Sequence, residues 1–212
     1  MKKLSLALII FCFVTAAHGQ IVRGYGIKLG ATIADQDWEY IPSLSITLVP
    51  DNRAGLNIGV FAELLNNPLF SIVAEANYVQ KGMKKDIELT TAENPDGAAE
   101  TVTWDTRVDY INLSVLAKFR LNLGIVSPYV IAGPKIDFEI NKDFSLNPAN
   151  PVEENFNKDR LGFKVGVGTE INLLTLNLLA EILYDADFTE LYKNEFLEVN
   201  SSSIDLRVGL MF

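Results

Sequence analysis

Residues 202–212, SSIDLRVGLMF, decide the fold. Ile204, Leu206, Val208, Leu210 and Phe212 are apolar and occupy every second position. Ser203, Asp205, Arg207, Gly209 and Met211 lie between them. Successive side chains of a strand point to opposite faces, so this alternation gives one wholly apolar face and one polar face. The chain then stops on an aromatic residue. A closing strand of a membrane barrel, its last ring at the lipid–water boundary, accounts for that ending. The competing reading is an edge strand of a soluble sheet.

Working back from this strand, the same period of two recurs along the chain. GYGIKLGATI (24–33) sets Tyr25, Ile27, Leu29, Ala31 and Ile33 against Gly26, Lys28, Gly30 and Thr32. AGLNIGVFAEL (54–64), LFSIVAEANYVQK (69–81), RVDYINLSVLAKFRL (107–121) and SPYVIAGPKIDFEI (127–140) alternate likewise. So do RLGFKVGVGTEI (160–171) and LTLNLLAEILYDA (174–186). Pro134 weakens its strand, because proline removes a ladder donor. The total is eight strands, an even number, as in bacterial outer-membrane barrels. The connections alternate long and short, roughly 20, 5, 23, 6, 18, 2 and 16 residues, the parity of short periplasmic turns and long outer loops. The long stretches are acidic, with Asp35, Asp37, Glu39, Asp86, Glu88, Glu93, Glu153, Glu154, Asp187, Glu190 and Glu195. The fold class is therefore all-β, an eight-stranded antiparallel up-and-down transmembrane β-barrel.

Alternation alone does not say which face is inside. A soluble, lipocalin-like barrel would turn its apolar face inward. Three features favour the opposite. The polar face balances Lys28, Lys81, Lys118, Arg120, Lys135, Lys164 and Arg207 against Glu63, Glu75, Asp137, Glu139, Glu170, Glu181 and Asp205, as a closed interior requires. Glycines such as Gly26, Gly30, Gly166 and Gly168 recur on that face and leave room for long side chains in a narrow lumen. Tyr25, Tyr78, Phe138 and Tyr184 lie near strand ends, as an aromatic girdle would.

The N-terminus, MKKLSLALIIFCFVTAAHGQ, has Lys2 and Lys3, an apolar run to Val14 and an Ala17-His18-Gly19 ending. It reads as a secretory signal peptide, residues 1–19, with the outer-membrane barrel domain over 20–212. The run is too short for a spanning helix, which takes about 20 residues. Cys12 lies within the run behind Phe11, where a lipidation site would want a small residue. Cleavage removes the only Cys and the only His and takes the net charge from −9 to −11. So acidic an exported chain is a poor partner for nucleic acid.

Several blocks also resemble the PorT-like outer-membrane β-barrel family of Bacteroidota over essentially the whole exported chain. They are GIKLG, NIGVFAEL, FSIVAEANYVQKGMK, VDYINLSVLAKFRL, PYVIAGP and IDLRVGLMF. The resemblance implies an eight-stranded barrel of the cell envelope. It also implies that a terminal aromatic such as Phe212 is read by the barrel-assembly machinery. One branch of that family serves protein secretion, and no motif here places this chain in it.

Catalytic, cofactor and metal sites are not expected. GVGTE (166–170) lies within a strand, with no following helix and no GK[ST], so it is strand packing and not a phosphate loop. Glu170, Glu181 and Asp205 are expected to meet in the lumen, but Lys164 and Arg207 nearby make structural ion pairs the reading over glycosidase chemistry. NPVEEN (150–155) offers oxygen ligands to Ca²⁺ without the D-x-D-x-D-G spacing. Without a His, no Ser/His arrangement forms. The expectation is a non-enzymatic structural or interaction protein in outer-membrane lipid, its lumen plugged, with a protein partner at its loops. The alternatives are a small-solute channel and a soluble periplasmic ligand-carrying barrel.

Overall fold

The computed structural model describes residues 22–40, 50–65, 67–89, 100–145, 157–173, 175–193, 195 and 197–212. The expected signal peptide and the NPVEEN segment lie outside these residues. The strands are β1 (Val22–Tyr40), β2 (Asp51–Leu64), β3 (Phe70–Leu89), β4 (Glu100–Arg120), β5 (Val126–Phe144), β6 (Asp159–Asn172), β7 (Asn177–Asp187), β8 (Tyr192–Lys193) and β9 (Leu197–Met211). Sequential neighbours from β1 to β7 pair antiparallel, β7 pairs with β9, and β9 returns to β1. Eight strands therefore close a barrel, and every strand of the wall has two neighbours. That satisfies the backbone polar groups where lipid offers no partner. The two-residue β8 pairs only with Val199 and Glu198 of β9, above the end of β7.

The faces follow the membrane arrangement. Leu29, Val60, Val115, Val130, Ile182 and Leu206 are exposed on the outside of the wall. Lys28, Glu75, Lys118, Glu170, Glu181 and Arg207 are buried within it. Aromatic rings mark both rims of the apolar band. Tyr25 packs with Phe212, and Phe70 with Phe119, near the short turns. Phe163 stacks on Phe188 toward the long connections.

The strands outrun the sequence expectation, and the loops are correspondingly shorter. Residues 34–40 and 82–89, read from sequence as connecting stretches, continue β1 and β3. The ladder does not stop where the apolar face ends; its polarity inverts. On β1 the odd positions face outward throughout, but Ile33 gives way to exposed Asp35, Asp37 and Glu39. The inward positions pass from Lys28 and Thr32 to Ala34 and Trp38. Beyond the lipid the outer face meets water, so the ordinary rule, apolar inside, resumes. Trp38, Met83, Trp104, Leu191, Leu197 and Val199 form a buried apolar cluster in this outer extension. Trp38 and Trp104 meet edge to face at 5.8 Å.

Candidate functional site

Among the described residues, buried charge is concentrated in the lumen, which is built in tiers. At the short-turn end Lys118 Nζ lies 3.0 Å from Glu63 and 3.1 Å from Glu170. Arg23 reaches the same two carboxylates at 2.9 and 2.5 Å, and Arg120 joins Glu63. In the middle tier Lys28 donates to Glu75 at 2.6 Å and to Glu181 at 2.8 Å. Arg207 donates to the same pair at 2.9 and 2.7 Å, and the Tyr129 hydroxyl donates to Glu181 at 2.7 Å. Two acids thus share two bases, which neutralises charge that burial would otherwise make costly. Lys28 also sits over the Phe61 ring and Lys118 over the Tyr129 ring, at 4.6 and 4.1 Å.

Above this, Asp205 accepts from Thr32 at 2.5 Å and lies 3.5 Å from Lys164. The outermost tier gathers Asp137, Asp185 and Asp187, whose oxygens lie within 4.8 Å of one another. Three carboxylates at that spacing suggest a cation site. A lysine already fills it: Lys135 Nζ contacts Asp185, and lies 2.8 Å from Asp137 and 2.5 Å from Asp187. Lys81 and Arg160 add further positive charge from two other strands. Apolar side chains, among them Val73, Leu116, Ile131 and Leu183, fill the space between the tiers. Outside the span, Lys193 bonds Glu190 and Glu198 at 3.0 and 2.8 Å. The hydrogen bond from Lys193 holds the Glu198 carboxyl below its ordinary range.

The residues expected in the lumen from the polar face are there, with Glu139 nearer the rim and paired to Lys142 at 3.0 Å. One expected meeting does not occur. Glu170, Glu181 and Asp205 sit in three different tiers, because β6, β7 and β9 are staggered: Glu170 stands opposite Leu179, while Glu181 stands opposite Arg207. Three participants escape a reading of the alternation. Arg160 shares the inward parity of Lys164 at the first position of its quoted stretch, and Asp187 that of Asp185 one step past its own, so extending the count of the polar face reaches both. Arg23 has the wrong parity. A register shift between Val22 and Gly24 turns it inward, and no alternation rule foresees that.

The outer membrane protein beta-barrel domain family matches residues 21–193. One solved structure shares the fold, and others are similar to the chain. Outer membrane protein OprG from Pseudomonas aeruginosa is 11% identical, with 92% of this chain and 98% of that one covered and a TM-score of 0.52. Neisserial surface protein A is 12% identical, covering 89% and 97% at a TM-score of 0.46. Ail, the attachment invasion locus protein of Yersinia pestis, solved with the heparin analogue sucrose octasulfate, is 16% identical, covering 92% and 100% at 0.44. No curated protein matches this chain.

Proposed function

This chain belongs to the outer membrane protein beta-barrel domain family, and from that premise we propose that it is a plugged, non-enzymatic barrel whose work is done by its outer extension. One observation carries the reading: the lumen is crossed by successive tiers of interlocked ion pairs. Each carboxylate in the middle tier is held by Lys28 and Arg207 together. Groups so engaged are not free to take a proton from a substrate. Nor does so filled an interior offer ions a path, since eight strands enclose only enough room for side chains.

The β1–β9 ladder continues through the outer extension, and one of its walls is acidic. Asp35, Asp37 and Glu39 on β1 stand beside Ser202, Asn200 and Glu198 on β9. A basic surface on a partner protein suits that wall. Membership of the PorT-like branch, and with it a link to secretion, rests on the sequence blocks alone. Recognition of Phe212 by the barrel-assembly machinery rests on the same resemblance. The soluble carrier finds no support, because the apolar face points outward.

Planar bilayers test the closed lumen. The purified protein is expected to give no steady conductance steps. Reproducible steps that change when Glu181 or Arg207 is replaced would establish a channel instead.

A further inference from the structure

The short turns carry no charge. Residues 65–69 read LNNPL, residues 121–125 LNLGI and residues 173–176 LLTL. At the opposite end of the barrel charged side chains begin directly above the apolar band. The turns also expose what a watery compartment would disfavour. Leu123 is 72% exposed and Ile125 69%, beyond the ring pair Phe70–Phe119. Their polar backbone groups, by contrast, are largely paired at home. Asn67 Oδ1 accepts from the amide of Leu69, and Asn122 Oδ1 from that of Gly124. Asn172 donates its side-chain amide to the Gly124 carbonyl at 3.0 Å, and its backbone N–H goes to the Ile125 carbonyl at 2.7 Å. Leu123 N bonds the Val126 carbonyl, and Leu173 N that of Leu176. Exposed apolar side chains over a self-satisfied backbone are what a low-dielectric surrounding demands.

The height of the apolar band along the closing seam points the same way. On β1 it runs from Tyr25 to Ile33, and on β9 from Phe212 back to Ile204, eight residue steps in each case. At about 3.3 Å per residue and a tilt near 40°, that is about 20 Å of height. The apolar band of such barrels is about 25 Å and a typical hydrocarbon core about 30 Å. On the outer side β1 cannot extend the band, since exposed Asp35 follows Ile33 two residues on. The turn side, at Leu123 and Ile125, has apolar surface to spare.

We infer that these charge-free turns are sunk in the inner leaflet of the membrane, with lipid chains as the occupant of their exposed leucines. The inference rests on the membrane reading of the wall. It makes the barrel an asymmetric anchor: its short-turn end is inside the bilayer and its charged end stands well clear of it. A bilayer thinned to fit the band, with the turns in water, is the opposing arrangement.

The experiment places single cysteines at Leu123, at Leu206 in mid-band and at Glu195 in the outer loops, in a Cys12→Ser background. Each is labelled with an environment-sensitive fluorophore and the full chain is folded into palmitoyl-oleoyl phosphatidylcholine vesicles, with or without chain-brominated lipid. Quenching by bromine at Leu123 comparable to that at Leu206, and several-fold above that at Glu195, is the expected result. A Leu173→Cys variant, in a different turn, is expected to repeat it if Leu123→Cys folds poorly. Quenching at Leu206 with none at Leu123 or Leu173, and free access of iodide to both turn positions, would overturn the insertion and leave the barrel intact. Absence of quenching at Leu206 itself would bring down the membrane reading and the insertion with it.

Discussion

Arg207 bridges two glutamates from different strands and shares both with Lys28, so the middle tier is balanced only while all four side chains are present. Arg207→Met leaves Glu75 and Glu181 facing a single base inside the wall. Breaking a buried ionic group by removing one partner costs about 3–5 kcal/mol. The expected outcome is a lower urea midpoint for the refolded barrel, and a lower temperature at which its gel mobility changes. Adding Glu75→Gln restores a one-to-one pair of Lys28 with Glu181, and most of the loss is expected to return. A double variant no better than the single one would show that the guanidinium acts through packing and not charge. Gly168 serves the same tier differently: a Cβ there would lie 2.5 Å from the Tyr129 ring, which covers the glycine and aims its hydroxyl at Glu181.

At the level of elements, the barrel closes along β1 and β9. Their register runs unbroken from Gly26 opposite Met211 to Tyr40 opposite Leu197. Tyr25 and Phe212 extend the seam by exchanging backbone hydrogen bonds of 3.2 and 2.8 Å, and their rings lie 6.5 Å apart. Deleting Phe212 removes both hydrogen bonds and one ring of the girdle at the site of closure. Heat-modifiable protein in the outer membrane is expected to fall several-fold, while export across the inner membrane is unchanged. Fractionation followed by unboiled and boiled gels checks this. A normal yield of folded barrel without Phe212 would count against a special role for the last residue.

The whole molecule divides into two regions with opposite packing rules, a lipid-embedded barrel with ion pairs inside and an outer extension with an apolar core. Both tryptophans of the chain lie in that outer core. Tryptophan fluorescence, excited where tyrosine does not absorb, therefore reports on the extension alone. Trp104→Ala opens space against Trp38, and a buried Trp→Ala change costs about 3–5 kcal/mol. The remaining Trp38 emission is expected to shift to the red, while the heat-dependent gel shift persists because the lumen tiers are untouched. Loss of the gel shift in this variant would show that the two regions fold as one cooperative unit.

The sequence by itself determined the period of two, the parity of short turns and the balanced polar face, since all three are local. From them follow the closed barrel, its apolar exterior and the residues that fill its lumen. The closing strand was legible down to which side chains point inward, Asp205 and Arg207, and which point out, Leu206 and Val208. Even the outer extension leaves a trace, in the alternation of Ala34, Gln36 and Trp38 with Asp35, Asp37 and Glu39. That trace reads as a loop to a rule seeking apolar residues outside, because the surrounding medium changes along a single strand. Only the tertiary structure decided who pairs with whom. Stagger between strands separates Glu170, Glu181 and Asp205 into different tiers, a register shift turns Arg23 inward, and Lys135 comes to rest among three carboxylates. Such meetings depend on inter-strand register around a closed ring. Each strand's alternation fixes its own two faces and leaves open its height against its neighbours.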